Sequence, residues 1–247
     1  MAAAMTAATQ LKWLHSTYTG LDGMPLETLR GRGTIVTNGA GLNAITIAEY
    51  VVMGMLTIAK GYRDVVRAQD RHEWLTDSPG KAELFESKAL LLGYGAIGKR
   101  IEERLKGFAV DVTVVRRTPG PGTLTPDQWR ARLGDFDWVI LAVPATPETD
   151  GMIGTAELAA MKPSATLINI ARGTLVDQDA LVAALRERRI APAFLDVTTP
   201  EPLPADHVVI ATHASQIEPD RHGPADFFLL NIGWAVVRYG TEPYADL

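Results

Sequence analysis

Apolar residues along this chain follow two rhythms: short unbroken runs, and longer stretches that repeat every three or four positions. Lys88-Ala89-Leu90-Leu91-Leu92 has almost no polar alternation, as expected of a parallel strand covered on both faces. Ile97, Ile101 and Leu105 then recur in steps of four, with Lys99, Arg100, Glu102, Glu103 and Arg104 on the other faces. That spacing predicts an amphipathic helix, and Gly107 stands where its C-cap belongs. Val110, Val112 and Val114 alternate with Asp111 and Thr113, which predicts a second strand. Further runs at 137–143, 165–170, 193–197 and 208–210 read as strands, with helices expected at 126–133, at 155–161 and around Leu181 and Leu185. Strand and helix alternate throughout, which implies an α/β fold on a doubly wound parallel sheet.

The first forty residues are shorter in rhythm. Residues 11–15 read as a strand, 16–23 as a small, polar loop with two glycines, and 34–38 as another strand ending at Gly39-Ala40-Gly41. Such a loop presents backbone N–H groups to an anion, or is an ordinary turn. From Asn43 to Ala59 the chain predicts a long helix, apolar around most of its circumference and therefore buried on several sides, between domains or in a dimer. Glu49, near its start, reads as structural, and Arg63 to Arg71 as a solvated continuation. The last segment, Phe227 to Tyr239, reads as an apolar helix returning to the N-terminal part.

Composition narrows the class. The 247 residues are 47% hydrophobic and 21% charged, ample and ordinary for a folded globular protein. A net charge of −5 with scattered Lys and Arg argues against a nucleic-acid or anionic-membrane surface. The absence of cysteine excludes disulfides, thiol catalysis and Cys-ligated metals, and no metal site is expected. No run reaches 18 uninterrupted apolar residues, and the Ala-rich start lacks a basic leader pattern; a cytoplasmic enzyme is the simplest expectation.

The chemistry begins where the first predicted strand breaks into Gly93-Tyr94-Gly95-Ala96-Ile97-Gly98. In a dinucleotide site Gly93 makes the tight turn, Gly95 lets a pyrophosphate approach the backbone, and Gly98 lets helix and strand pack closely. The N–H groups of the helix start, at Ala96 and Ile97, face the phosphates with the positive end of the dipole. With 22 glycines in the chain, about 0.2 such matches would arise by chance, so the flanking strand–helix–strand pattern carries the reading. At the end of the second strand, where an acidic residue would accept bonds from an NAD ribose, stand Arg116 and Arg117. Two guanidiniums suit a 2′-phosphate, which favours NADP(H) over NAD, the alternative being a solvated strand end. Arg172, Asp196, Glu201 and His213 all follow predicted strand ends, the side on which doubly wound sheets bind ligands. An arginine can fork onto a carboxylate or carbonyl, and a histidine near a carboxylate can move a proton. Singly, each of these also reads as a surface or structural residue.

As a set they are more specific. Residues 169–177 (NIARGTLVD) and 195–204 (LDVTTPEPLP), with Val143 to Thr149 and Val36 to Glu49, closely resemble the D-isomer-specific 2-hydroxyacid dehydrogenase family from about Leu11 to Tyr244. The resemblance implies a Rossmann nucleotide-binding domain at 43–216, a smaller, incomplete flavodoxin-like substrate domain of which 1–42 is the remnant, and a C-terminal helix at 217–247. It implies that Arg172 binds a small 2-oxo acid, His213 is the acid/base and Glu201 pairs with it. Asp196 would face the nicotinamide carboxamide, and the Gly20-Leu21 backbone would hold the substrate carboxylate. The arginine pair is similar to the NADP-using glyoxylate/hydroxypyruvate reductase branch, and the family implies a homodimer. Three positions depart from the pattern. Only ten residues precede Leu11, Ala211-Thr212-His213 replaces Thr-Pro-His, and the Glu201–His213 segment is shorter. These departures leave a second reading open, a catalytically impaired cofactor-binding dimer acting as a sensor or scaffold.

Overall fold

The computed structural model describes residues 2–118, 120–201, 203–204 and 227–229. Its N-terminal part carries α1 (Ala2–Ala7), β1 (Trp13–Ser16), α2 (Leu26–Gly31) and β2 (Ile35–Asn38). β1 and β2 form a separate two-stranded parallel sheet, Trp13 opposite Ile35, with α2 crossing between them on the fully buried Leu29. Neither α1 nor α2 was anticipated from the pattern. α1 buries no residue and α2 only one, so neither shows an apolar stripe to detect.

The long helix is α3 (Ala44–Ala59), and the chain then bends by 68° at Gly61 into a separate helix, α4 (Tyr62–Asp70). Gly61 adopts φ +57°, and a Cβ there would press on the Pro79–Gly80 backbone, so the break depends on glycine. Glu49 pairs at 2.9 Å with Arg104 of the helix Ala96–Lys106, a structural role as expected, through helix–helix contact. Among the described residues no single helix is long and apolar enough to cross a membrane.

Among the described residues the main sheet holds six parallel strands: β3 (Lys88–Leu92), β4 (Asp111–Val115), β5 (Trp138–Leu141), β6 (Thr166–Asn169), β7 (Ala193–Leu195) and β8 (Phe227–Leu229). Their order is β4-β3-β5-β6-β7-β8, the doubly wound arrangement expected. Because successive side chains alternate, the sheet splits its apolar residues between two layers. Leu90, Leu92, Val139, Leu141, Leu167 and Leu195 meet α6 (Thr155–Ala160) and α7 (Gln178–Arg186) on one face. Ala89, Leu91, Ile140, Ile168 and Phe194 meet α3 and α5 (Ala96–Lys106) on the other. Burying each of the leucine, isoleucine, valine and phenylalanine side chains contributes about 1.5–3 kcal/mol. At the closest approach of α3 to β7, Gly54 lies on the Phe194 ring, where a Cβ would be 2.8 Å from the ring carbons.

Two expected elements are corrected. The helix expected at 126–133 is instead a 3-10 segment, Arg130–Asp135, which buries Leu133 between the buried Trp129 and Phe136. Its tighter turn matches a short piece that carries Gly134 near its end. Phe227–Leu229, expected to begin the C-terminal helix, is a strand paired in parallel with β7, Ala193 opposite Phe227. A short apolar run has no periodicity that separates a covered strand from a helix. The strand expected at 208–210 and the remainder of the expected C-terminal helix lie outside the described residues.

Candidate active site

The glycine turn joins β3 to α5 at the carboxyl end of the sheet. Gly93 takes φ +105°, and its N–H donates to the Val115 carbonyl at 3.0 Å, tying the turn to β4. A Cβ on Gly93 would collide with the Ala142 carbonyl beyond β5, and one on Gly98 with the Gly93 carbonyl. Gly95, the N-cap of α5, has no protein atom within 4 Å of where a Cβ would stand, and no side chain caps the helix. Two glycines therefore permit protein packing, while the third borders open space at a helix N-terminus bearing the N–H groups of Ala96 and Ile97. These residues fit a dinucleotide pyrophosphate. Gly41 of the β2–α3 loop comes to the same place, a Cβ on it lying 3.9 Å from Ala96.

Arg116 follows directly on the Leu92–Val115 pair, so the register sets it beside the glycine turn. Its guanidinium is 5.8 Å from the centre of the Tyr94 ring, and the Lys99 ammonium 5.9 Å from the same ring. The Tyr94 hydroxyl donates to Glu102, an arrangement that raises the phenol pKa. Burial opposes ionisation of Glu102, but the bonds from Tyr94 and Lys106 outweigh it and hold the carboxyl below its usual range. Arg117 is exposed and lies near Glu148. The bond from Thr146 and, to a smaller degree, the Arg117 charge lower the Glu148 pKa.

On the far side of β5, Asn169 closes β6 with its side chain almost wholly buried. Its Oδ1 accepts from the Ala171 N–H at 3.0 Å and its Nδ2 donates to the Arg172 carbonyl at 2.8 Å, shaping the loop that carries Arg172. Gly173 then packs against the Thr198 carbonyl, where a Cβ would not fit, and the Thr199 N–H donates to Gln178 at 3.0 Å. Those contacts bring the segment ending in the cis Thr199–Pro200 bond and Glu201 alongside the Arg172 loop.

The Arg172 side chain reaches the N-terminal unit. It lies against Gly20, and its Nε and Nη2 donate to Asp22 Oδ2 at 3.0 and 2.7 Å. A cavity of about 300 Å³ opens there, lined by Arg172, by Tyr18, Gly20, Asp22 and Met24 of the loop region after β1, and by Ala2 and Met5 of α1. The structure thus joins two sequence-predicted residues, Gly20 and Arg172, in one concave site. Leu21 sits between cavity-lining neighbours without lining it.

Asp196 follows β7, its N–H donating to the Asn169 carbonyl at 2.9 Å. Tyr50 of α3, its ring tilted at 58° to that of Phe194 with centroids 5.1 Å apart, has its phenol pKa pushed far up by burial and then by the Asp196 charge. His213 lies outside the described residues. Sequence reasoning missed Asp22, Asn169 and Tyr50 as parts of the site. Asn169 ends a strand run just before Arg172, a signal that could have flagged it. Asp22 and Tyr50 carry no local signal. Among the described residues no group of three His, Asp or Glu side chains could hold a metal ion.

Comparison with known proteins gives the chain a family and a fold. Residues 52–219 match the family described as D-isomer specific 2-hydroxyacid dehydrogenase, NAD binding domain. The chain is 32% identical over 246 residues to the glyoxylate reductase of Thermococcus litoralis, covering 91% of this chain and 74% of that protein. It is 30% identical over 209 residues to the D-3-phosphoglycerate dehydrogenase of Methanocaldococcus jannaschii, spanning 82% of this chain but only 40% of that protein. Among solved structures, the TT0316 protein from Thermus thermophilus superposes with a TM-score of 0.80 at 31% identity, over 95% of this chain and 72% of that one.

Proposed function

Because the chain belongs to the D-isomer specific 2-hydroxyacid dehydrogenase family, we propose that it reduces a small 2-oxo acid of the glyoxylate or hydroxypyruvate type, using NADPH. Membership carries a nicotinamide cofactor and dehydrogenase/reductase chemistry on 2-hydroxy or 2-oxo acids. The observation that supports the substrate reading is the Arg172 guanidinium at the mouth of a cavity bordered by the Gly20 backbone. There it can orient the oxo and carboxylate oxygens of a small acid by paired N–H bonds. When bound on the glycine turn, the cofactor supplies the hydride. His213 donates the proton to the nascent alkoxide, Glu201 holds its imidazolium, and Asp196 orients the carboxamide. The placement of Arg116 beside Gly93 supports NADP(H), with Arg117 shared between a 2′-phosphate and Glu148. Exposed Ile45 and Met53 on α3 support a homodimer, which sedimentation equilibrium tests.

Steady-state oxidation of NADPH against a panel of 2-oxo acids tests the reading. Turnover is expected, and its absence with every acid, in a protein that binds NADPH, would refute it and leave the cofactor-binding scaffold. His213→Ala is expected to lower kcat about 100-fold or more. Replacing Arg116 and Arg117 by serine is expected to weaken NADPH about tenfold or more while NADH changes little.

A further inference from the structure

We propose that Asp22 is a positioning residue for Arg172, holding the guanidinium in the orientation in which it receives an anionic substrate. This inference rests on the reading of Arg172 as the substrate arginine. The two residues are separated by 150 positions in the chain and lie on different units, one on the loop after β1 and the other on the loop after β6. A guanidinium is planar and carries five N–H donors in a rigid fork. Asp22 Oδ2 accepts from Nε at 3.0 Å and from Nη2 at 2.7 Å, and the Ala171 carbonyl accepts from Nη1 at 2.6 Å. Contacts to three different nitrogens define the plane and its rotation about the Cδ–Nε bond. Counting donors, one N–H on each terminal nitrogen is left over, the pair a bidentate ligand needs.

The burial argues for orientation rather than stability. The Arg172 and Asp22 side chains are 44% and 54% exposed, and an ion pair this wet adds little to folding. Gly20 makes the geometry possible. A side chain there would occupy the positions of the Arg172 Nη2 and the Asp22 carboxylate, so the loop brings bare backbone against the pair. Apart from Arg172 and Asp22 the cavity is lined by uncharged residues. Among the described residues no other charged side chain lines it.

The test is a double-mutant cycle on the full-length protein. Asp22→Ala, Asp22→Asn and Asp22→Glu are made in the wild-type and in the Arg172→Lys backgrounds, and kcat/KM is measured with glyoxylate and NADPH. Asp22→Ala is expected to cost about tenfold or more in the wild-type background and less than about twofold on top of Arg172→Lys, because its effect passes through the guanidinium. Asp22→Asn, which keeps an acceptor oxygen, recovers part of the loss, while KM for NADPH and the unfolding midpoint stay unchanged. Equal losses in the two backgrounds, or a loss matched by destabilisation, would overturn the proposal. If the wild-type protein turns over no 2-oxo acid, the reductase reading fails by itself. The cycle is then read from calorimetric binding of oxamate to the NADPH-loaded protein. The same non-additivity supports the positioning role, and additivity or no binding by wild type overturns it.

Discussion

Replacing Gly93 by alanine separates the two demands that the glycine turn makes. The residue sits at φ +105°, where an L side chain is strained, and its Cβ would drive into the Ala142 carbonyl at the end of β5. Strain at such a position costs about 1–3 kcal/mol, and relieving a backbone collision beside a packed sheet about 1–3 kcal/mol more. The Ala142 N–H is bonded to Leu92 at 2.8 Å, so the struck carbonyl cannot retreat without disturbing the β3–β5 ladder. Gly122 is the internal control, since it takes φ +71° but a Cβ there meets nothing within 4 Å. Gly93→Ala is therefore expected to lose about 2–6 kcal/mol, and Gly122→Ala only about 1–2 kcal/mol. Urea unfolding followed by circular dichroism measures both, with equal slopes required for the comparison. NADPH binding should also weaken for Gly93→Ala alone. Were the two variants equally stable, within about 0.5 kcal/mol, the collision would not govern the turn and this account of Gly93 would be wrong.

Asn169→Ala removes both bonds that shape the Arg172 loop from a buried position and should cost about 1–3 kcal/mol in stability. Its kcat/KM for a 2-oxo acid should fall more than its affinity for NADPH, which kinetics and a fluorescence titration compare directly. Gly54→Ala pushes α3 off the Phe194 ring and should lower stability by about 1–3 kcal/mol, read as a fall in Tm. For Asp137, burial raises the pKa, but the bonds from the Lys162 ammonium and the Lys88 N–H outweigh it, and the carboxyl is held below its ordinary 3.8. Its stabilisation is thus complete above that value and lost as pH falls through the lower folded-state pKa. Asp137→Asn should flatten the dependence of stability on pH below about 5, and an unchanged slope would remove Asp137 from the acid sensitivity.

Much of this architecture was legible before the structure. β3 and β5 to β7 fall on the apolar runs, because strands covered on both faces must be apolar at consecutive positions, and β4 falls on an alternation of valines with polar residues. The glycine turn was readable because each glycine is a steric requirement on the backbone itself. Elements with little buried area were not: α1 and α2 leave no stripe, and the break between α3 and α4 depends on Gly61 meeting residues 79–80, which no local window contains. At Phe227–Leu229 the pattern pointed to a helix, and pairing with β7 decided for a strand. Short runs owe their conformation to what lies beside them.

The sequence by itself determined strands β3 to β7, the dinucleotide turn, the arginines that follow β4 and the arginine that follows β6. Each is written in residue spacing over fewer than ten positions, where sterics and side-chain alternation act locally. Only the tertiary structure decided that Arg172 meets Gly20 and Asp22, and that Tyr50 of α3 feels the charge of Asp196. Those contacts span some 150 residues and depend on how the N-terminal loop and α3 lie over the carboxyl end of the sheet. Periodicity reports which face of an element is buried. It does not report which distant side chain waits there, and at this site that is what orients the chemistry.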